Sequence, residues 1–572
     1  MQDAGITGIE SLDPYRRCYC GKVYQTLASL MRHSRTCPAL TEDCKAVLCV
    51  LSCLEPRPVP ADLLYRALRP FRTWNENGNE SRDRLAGSEP VFSTFERLDR
   101  AVQVACAIPA VQPTDSAIVP DTDGYPWWAD RDLAIEAQCR IFIHNELIQR
   151  DQEQLLRWRL ETLRVVLHAF PHQDLDTQFI ERGQAFFPFV LPALREIPAE
   201  ALHPREIERA VYVCVAGTAF GSPSVKRAAL EVAQSLVHRV APSPLAQSIQ
   251  VRQMQLCLLN SQPIPSSFFP GPGRKGNAQL AEYLLVKAQR SAEEGQISQS
   301  WQFIGQWAPA YAAQPSLLES IMSFRIDLMK GKLSRYQGEF SQSRLYLEPL
   351  ATQYPAPQAQ FLCRLHLVSV YGELALWDKG RTLLAETVAT ADSRKRLLQL
   401  SLAEFHLARG LDGSDEELAA AERLFLGLFD SYEKVALPRR AAKRNFARVC
   451  LGLAIVSHMQ RRGRSHFSLL RALNDWRLAY DACLESAIQG TEPGFPALIC
   501  LLSLAEIKAS LEDTTLAQDL HRAREIWGEL GRRECNQRFY FANIGTRWAD
   551  LVSNWLETAG IPQVLPRWGA GG

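Results

Sequence analysis

From about Pro204 onward, apolar residues recur at three- and four-residue spacing between short Gly, Pro or Asp breaks. That spacing puts one apolar stripe on each of a succession of helices, and the Val/Ile/Thr alternation of strands is scarce. A repeat is visible within it. Gly295, Ile297, Ser300, Ile304 and Trp307 are followed by Gly338, Phe340, Ser343, Leu347 and Leu350, and then by Ala375, Trp377, Gly380, Leu384 and Thr387. Looser copies lie around Ala421 with Phe425 and Leu428, around Ala472 with Trp476 and Ala479, and around Ala517. The pattern predicts a helical hairpin: the first small residue ends helix A, the apolar residue plugs the turn, and the second small residue lets the two helices approach. A hairpin of this kind cannot bury its apolar face alone, so stacking is expected to give a superhelix with a concave groove suited to proteins or peptides. A generic helical bundle is the alternative.

Residues 41–195 read differently. A short helix, CKAVLCVLSCLEP, leads through Val59 to Leu68 and a polar loop near 75–89 to FSTFERLDRAVQVAC. A β-like piece, CRIFIH, ends at His144 and precedes NELIQRDQ and a long amphipathic helix closing at AFP, residues 169–171.

The repeated spacing resembles the tetratricopeptide (TPR) repeat, including Pro355 where that motif ends helix B; the copies lie 37 to 51 residues apart, longer than the usual ~34. LCVLSCLEPRPVPADLL, IFIHNELIQ and AFP, followed by ERGQAFFPFVLPAL, resemble the winged-helix segment that follows the nucleotide-binding domain in fungal STAND (NB-ARC type) proteins. That resemblance makes the TPR-like array the C-terminal sensor arm of such an architecture. The phosphate loop it would need is missing from the sequence. The nearest match, Gly271-Pro272-Gly273-Arg274-Lys275-Gly276, has the wrong order and no Ser or Thr after the Lys, so a linker loop between solenoid helices is expected there and no nucleotide switch.

At the N-terminal end stand Cys18, Cys20, Tyr24, Leu27, Leu30, His33 and Cys37. This resembles a CCHH-type zinc finger with a Cys in place of the second His, and Cys-Gly-Lys-x-Tyr matches that family closely. One residue separates Cys18 from Cys20, where the family has two to four. The resemblance implies one zinc ion held by Cys18, Cys20, His33 and Cys37, in a small ββα fold that forms only with metal. Two chance cysteines near a helix, with Cys44, Cys49 and Cys53 as core residues of the next helix, are the alternative. In the family, bases are read from helix positions that fall here on Thr26, Ala28, Ser29 and Arg32, and only Arg32 can grip guanine bidentately. Arg16, Arg17, Lys22 and Arg35 add phosphate-binding charge, and no acid lies between Pro14 and Leu40.

Composition narrows the classes. The chain has 572 residues with 64 Lys and Arg against 63 Asp and Glu, which excludes a uniformly basic nucleic-acid coat and an acidic disordered chain. Most of the 15 cysteines, Cys106, Cys214, Cys257, Cys363, Cys450, Cys483 and Cys500 among them, stand singly in helix-like segments, as reduced core cysteines do. No secretory signal and no apolar run of the ~20 residues that span a bilayer are read, so a soluble intracellular protein is expected. PRRAAKR, with Arg439, Arg440, Lys443 and Arg444, suits a nuclear import signal or a solvated helix face, and Arg461, Arg462 and Arg464 suit surface charge. His144 is read as a packing residue, and no catalytic set is found.

The expected fold is mainly α: a zinc finger in 1–40, a winged-helix-like segment in 41–200, a TPR-like right-handed α-solenoid in 201–557 and a flexible tail in 558–572. The leading functional expectation is a nuclear, DNA-associated regulator of transcription, zinc-dependent, with protein partners in its groove, in the style of regulators encoded beside fungal biosynthetic gene clusters. The competing class is a cytosolic scaffold or STAND-derived interaction protein whose finger docks protein.

Overall fold

In the computed structural model, the residues described are 41–54, 57–85, 94–106, 111–115, 128, 131–135, 137–143, 145, 152–239, 244–259, 262–265, 267–353, 357–389, 391–433, 440–461, 465–486, 494–531 and 544–561. They form two compact units: one runs to Arg252 without 76–78, the other comprises 76–78 and the residues from Gln253 onward.

The first unit opens with α1 (Glu42–Cys53), where Thr41 accepts a hydrogen bond from the Cys44 backbone and caps the helix. Then come β1 (Val59–Pro60), α2 (Ala61–Ala67), the hairpin β2 (Phe71–Trp74) and β3 (Glu80–Asp83), α3 (Phe95–Cys106), β4 (Val111–Asp115) and β5 (Arg131–Ile135). β5 pairs antiparallel with both β1 and β4, so the sheet order is β1-β5-β4. A helix, a short strand, two further helices and a closing two-strand wing make a winged-helix-like topology. Two local expectations are corrected. The polar loop near 75–89 contains strand β3, whose Glu-Ser-Arg-Asp sequence carries no apolar alternation and so gives no strand signal. CRIFIH is not a strand: Ala137–Ile143 is helix α4, and the strand that completes the sheet lies just before it, at β5. His144 lies outside the described residues.

α5 (Gln152–Ala169) and α6 (Phe179–Arg195) follow, then α7 (Pro204–Gly217), α8 (Pro223–Val237) and α9 (Pro244–Leu259), in which the division between the units falls. Phe170, from the AFP motif, packs edge-on against Phe179, Phe187 and Phe220. Buried Arg209 closes the end of α5 by donating to the Leu167 and Phe170 carbonyls at 2.9 and 2.6 Å, with its guanidinium 4.2 Å over the Phe71 ring. Arg182 and Asp62 form a buried ion pair at 2.8 Å that ties α6 to α2.

The second unit is a row of helical hairpins: α10 (Gly273–Glu293) with α11 (Ile297–Gly305), α12 (Leu317–Gln337) with α13 (Phe340–Gln353), α14 (Pro357–Glu373) with α15 (Trp377–Ala385), and α16 (Asp392–Gly410) with α17 (Asp415–Glu433). α18 (Arg440–Arg461) with α19 (His466–Ser486) and α20 (Phe495–Ser510) with α21 (Leu516–Gly531) continue the row, and α22 (Gly545–Thr558) packs on α20. The first helices of neighbouring hairpins pack on one another from α10 through α12, α14 and α16 to α18. This is a TPR-like α-solenoid. Helix starts at Gly273, so the segment expected as a linker loop is in part the first turn of α10.

The repeat has the geometry its spacing predicts. Gly295, Gly338 and Ala375 take left-handed φ values of 81°, 85° and 55°. In each case the next residue's N–H returns to a carbonyl five residues back: Gln296 to Ser291, Glu339 to Ser334 and Leu376 to Tyr371, at 2.8, 2.9 and 2.8 Å. This is the Schellman closure of a helix end. The second small residue then joins the two helices, since the Ser300 and Ser343 hydroxyls donate to the Ala288 and Gly331 carbonyls of the preceding helix at 2.9 and 2.7 Å. In the looser copies the small and apolar positions Ala421, Phe425, Leu428, Ala472, Trp476 and Ala479 are all buried. Pro355 and the tail beyond Ile561 lie outside the described residues.

Ala375 holds a backbone conformation that costs an L-residue with a side chain about 1–2 kcal/mol, whereas Gly338 holds the same conformation freely. Ala375→Gly is therefore expected to stabilise the protein by about 0.5 kcal/mol after the entropy that glycine adds to the unfolded chain. Gly338→Ala should destabilise it by about 1 kcal/mol or more. Urea unfolding midpoints of the two variants check both signs.

Candidate functional site

The face shared by the first helices of the hairpins carries a ladder of polar contacts. From α12 back to α10, Arg325 reaches Glu282 at 3.0 Å and Lys332 donates to the Gln289 side-chain oxygen at 2.9 Å, each pair 43 residues apart. From α18 back to α16, Arg448 makes a two-pronged bond to Glu404 at 2.7 and 2.6 Å, across 44 residues. One repeat length therefore relates each rung to its partner.

Between these rungs sit Arg335 of α12 and His366 and Glu373 of α14. Arg335 is buried, and desolvation lowers its pKa against the pull of Glu373 and Glu404. Burial opposes the charge on Arg448 as well, but Glu404 more than offsets it and its pKa is raised. Burial, reinforced by Lys332, Arg335 and Arg448, holds His366 well below the ordinary imidazole value, so the ring is neutral at pH 7. Glu373 is pushed up to about 7 by burial, against the attraction of Arg335 and Arg547. Its Oε1 is buried with no hydrogen-bond partner.

Two pairs distant in sequence show how far this face curls within the unit. Arg444 at the start of α18 bonds Glu293 at the end of α10 at 3.2 Å, across 151 residues. Arg547 of α22 reaches Asp412 at 3.1 Å and the Gly372 carbonyl at 3.5 Å, and its guanidinium lies 5.6 Å from the Trp377 ring centroid. A separate groove of about 700 Å³ opens over α14 between α13 and α15, with Leu345, Pro349 and Leu367 among its apolar lining and Glu348, Asp378 and Lys379 among its polar lining.

Every residue assigned from the sequence to zinc or DNA lies outside the described residues: Cys18, Cys20, His33, Cys37, Arg16, Arg17, Lys22, Thr26, Ser29, Arg32 and Arg35. The neighbouring cysteines are placed. Cys44 and Cys49 are buried on α1 and Cys53 is partly so; burial pushes the Cys53 thiol up to about 11, as befits a packed, unreactive group. Of the PRRAAKR cations, Arg444 and Lys443 both pair with carboxylates of their own unit, Glu293 and Glu485, while Arg439 is outside the described residues. Among the described residues no group of three or more His, Cys, Asp or Glu is arranged to hold a metal, and no helix is long and apolar enough to cross a membrane. Sequence reasoning missed the ladder. Its partners lie 43 or 44 residues apart, a spacing hidden by repeats that recur at 37 to 51 residues.

No family model matches this chain, and no curated protein matches it. Two solved structures are similar over long stretches. One is a Rap protein complexed with Competence and Sporulation Factor, 11% identical, covering 63% of this chain and 100% of its own, with a TM-score of 0.38. The other is a Signal Transduction ATPase with Numerous Domains (STAND) protein with a tetratricopeptide repeat sensor from Pyrococcus horikoshii, 13% identical, covering 91% of this chain and 68% of its own, with a TM-score of 0.36. At such scores the fold assignment rests on the hairpin geometry itself.

The folded chain keeps Glu373 protonated up to about pH 7, whereas an unfolded chain ionises it near about 4.3. The folded state thus binds the extra proton in this window, and stability falls as pH rises through it and levels off above. Glu373→Gln removes that slope. The melting temperature of the wild type minus that of Glu373→Gln should therefore be larger at pH 5 than at pH 7.5, and an equal difference at both would refute the assignment.

Proposed function

We propose that this chain is a non-enzymatic interaction protein whose TPR-like array receives a protein partner on the face shared by its first helices. The observation that supports this best is the polar ladder. Apolar side chains of similar volume would commonly hold such a partly buried face together as well or better, so charges and hydrogen-bonding groups distributed over α10, α12, α14, α16 and α18 suit recognition more than stability. The hairpin architecture supports it further, because stacked repeats present one extended surface built from many helices. Capture of cross-linked partners by the tagged full-length chain tests the reading. Partners held by the wild type should be lost when Arg325 and Lys332 are both replaced by Ala; recovery of none, or of the same set with the variant, would remove it.

A second reading adds the N-terminal segment, and the Cys18, Cys20, His33 and Cys37 spacing favours it. In it those side chains bind zinc, Arg32 touches a base, Arg16, Arg17, Lys22 and Arg35 touch phosphates, and the protein is a nuclear regulator of transcription. One finger covers about 3 base pairs, so the array would supply the second anchor through a DNA-bound partner. The full chain should then carry one zinc by mass spectrometry and lose it in Cys20→Ser, and its DNA affinity should fall steeply with salt. A chain without zinc, or one without DNA affinity at low salt, leaves the scaffold reading alone.

A further inference from the structure

The groove over α14 lies between second helices, apart from the face that the first helices share. One wall is the α13 stripe of Leu345, Glu348, Pro349 and Thr352, and the other runs along α15 from Asp378 through Thr382 and Leu383 to Glu386. Each wall is a single helical stripe, and at 1.5 Å per residue the two run about 10 and 12 Å, or two turns of helix. Leu367 of α14 adds an apolar group between them. Leu345 is 61% exposed, so the groove leaves in water a large apolar side chain that an occupant would cover.

The two walls differ in charge. On α13, Glu348 is satisfied: it accepts from the Tyr371 hydroxyl at 2.9 Å and from Lys379 at 3.2 Å, with Arg344 3.9 Å away. On the α15 side, Asp378 and Glu386 are exposed and make no ion pair among the described residues. Arg364 donates to the Glu386 backbone carbonyl at 3.0 Å, and Arg381, the other cation of α15, is outside the lining. Glu386 also stands at the C-terminal end of α15, where the helix dipole disfavours a carboxylate and favours a cation beside it. The charged groups that the groove leaves open are therefore both acidic and lie along one wall.

We propose that this groove is a second docking site, which takes an amphipathic helix of a protein partner bearing two basic residues about 12 Å apart beside its apolar stripe. The apolar stripe lies against Leu345, Leu367 and Leu383, and the two cations lie over Asp378 and Glu386. An acidic helix would be repelled by that wall, and an uncharged one would leave both carboxylates as they are. The site is separate from the first-helix face and does not depend on what that face binds.

The probe is a fluorescein-labelled peptide of Leu, Ala and Lys, about 14 residues long, with its leucines on one helical stripe and its lysines along the edges. It is titrated with the full-length chain and followed by anisotropy. One control peptide has Glu for every Lys, and the other has the same residues reordered so that the leucines share no face. Only the first peptide should bind, and more weakly as salt rises. Asp378→Asn with Glu386→Gln should weaken it at least about fivefold and Leu345→Asp at least about tenfold, with melting curves showing each variant folded. Asp430→Asn with Asp481→Asn, the same charge loss at exposed positions on α17 and α19, should have little effect, as should Arg325→Ala with Lys332→Ala. The proposal is overturned if the folded wild type does not bind, if either control peptide binds as tightly, or if either groove variant binds as the wild type does. It is overturned equally if a double variant outside the groove weakens binding as much as one within it.

Discussion

Each first helix of the array has to stop and turn back within two to five residues, and in the regular copies the left-handed position after its last turn makes that reversal possible. Gly295, Gly338 and Ala375 occupy it, and the returning N–H of the next residue closes the helix end. Once the backbone turns there, the apolar residue two positions on begins the second helix and the small residue at five faces the first. The Ser300 and Ser343 bonds to Ala288 and Gly331 fix how closely the helices approach. A larger residue at that point would separate the helices, and the ladder on the shared face depends on their spacing.

This is why the hairpins were legible. A left-handed turn followed by close packing constrains residue size at fixed offsets, and size is what a sequence displays directly. The looser copy around Ala517 shows the limit: its left-handed position is Glu512, with φ 55° and Asp513 returning to Lys508 at 2.9 Å, and no small residue announces it. The winged-helix-like segment was legible through its helices. Strand β3 was not, because Glu, Ser, Arg and Asp at a hairpin edge carry no apolar alternation, and α4 was mistaken for a strand because its Ile-Phe-Ile run favours both conformations.

The ladder was illegible for a different reason. Hydrogen bonds and ion pairs between neighbouring first helices depend on the register of one hairpin against the next, and no local pattern encodes that register when repeat lengths vary. Arg335 and Glu404 are both buried by the stacked helices, and nothing in their immediate sequence marks that burial. The sequence suggested a concave groove, whereas the face shared by the first helices carries polar rungs and is bridged by Arg444 and Glu293.

Two long-range ties, Arg444 to Glu293 and Arg547 to Asp412 and Gly372, change the mechanics of the unit. A simple repeat array holds only neighbour-to-neighbour contacts, so its ends can fray without disturbing its middle. Here the end of α10 is fastened to the start of α18, and α22 is fastened to Asp412 and Gly372. A terminal helix cannot peel away without breaking a bond to the centre, and the chain must close loops of more than a hundred residues before those bonds form. Such long-range closure slows folding and couples the ends to the centre, so a strain applied at one hairpin reaches hairpins that it never touches.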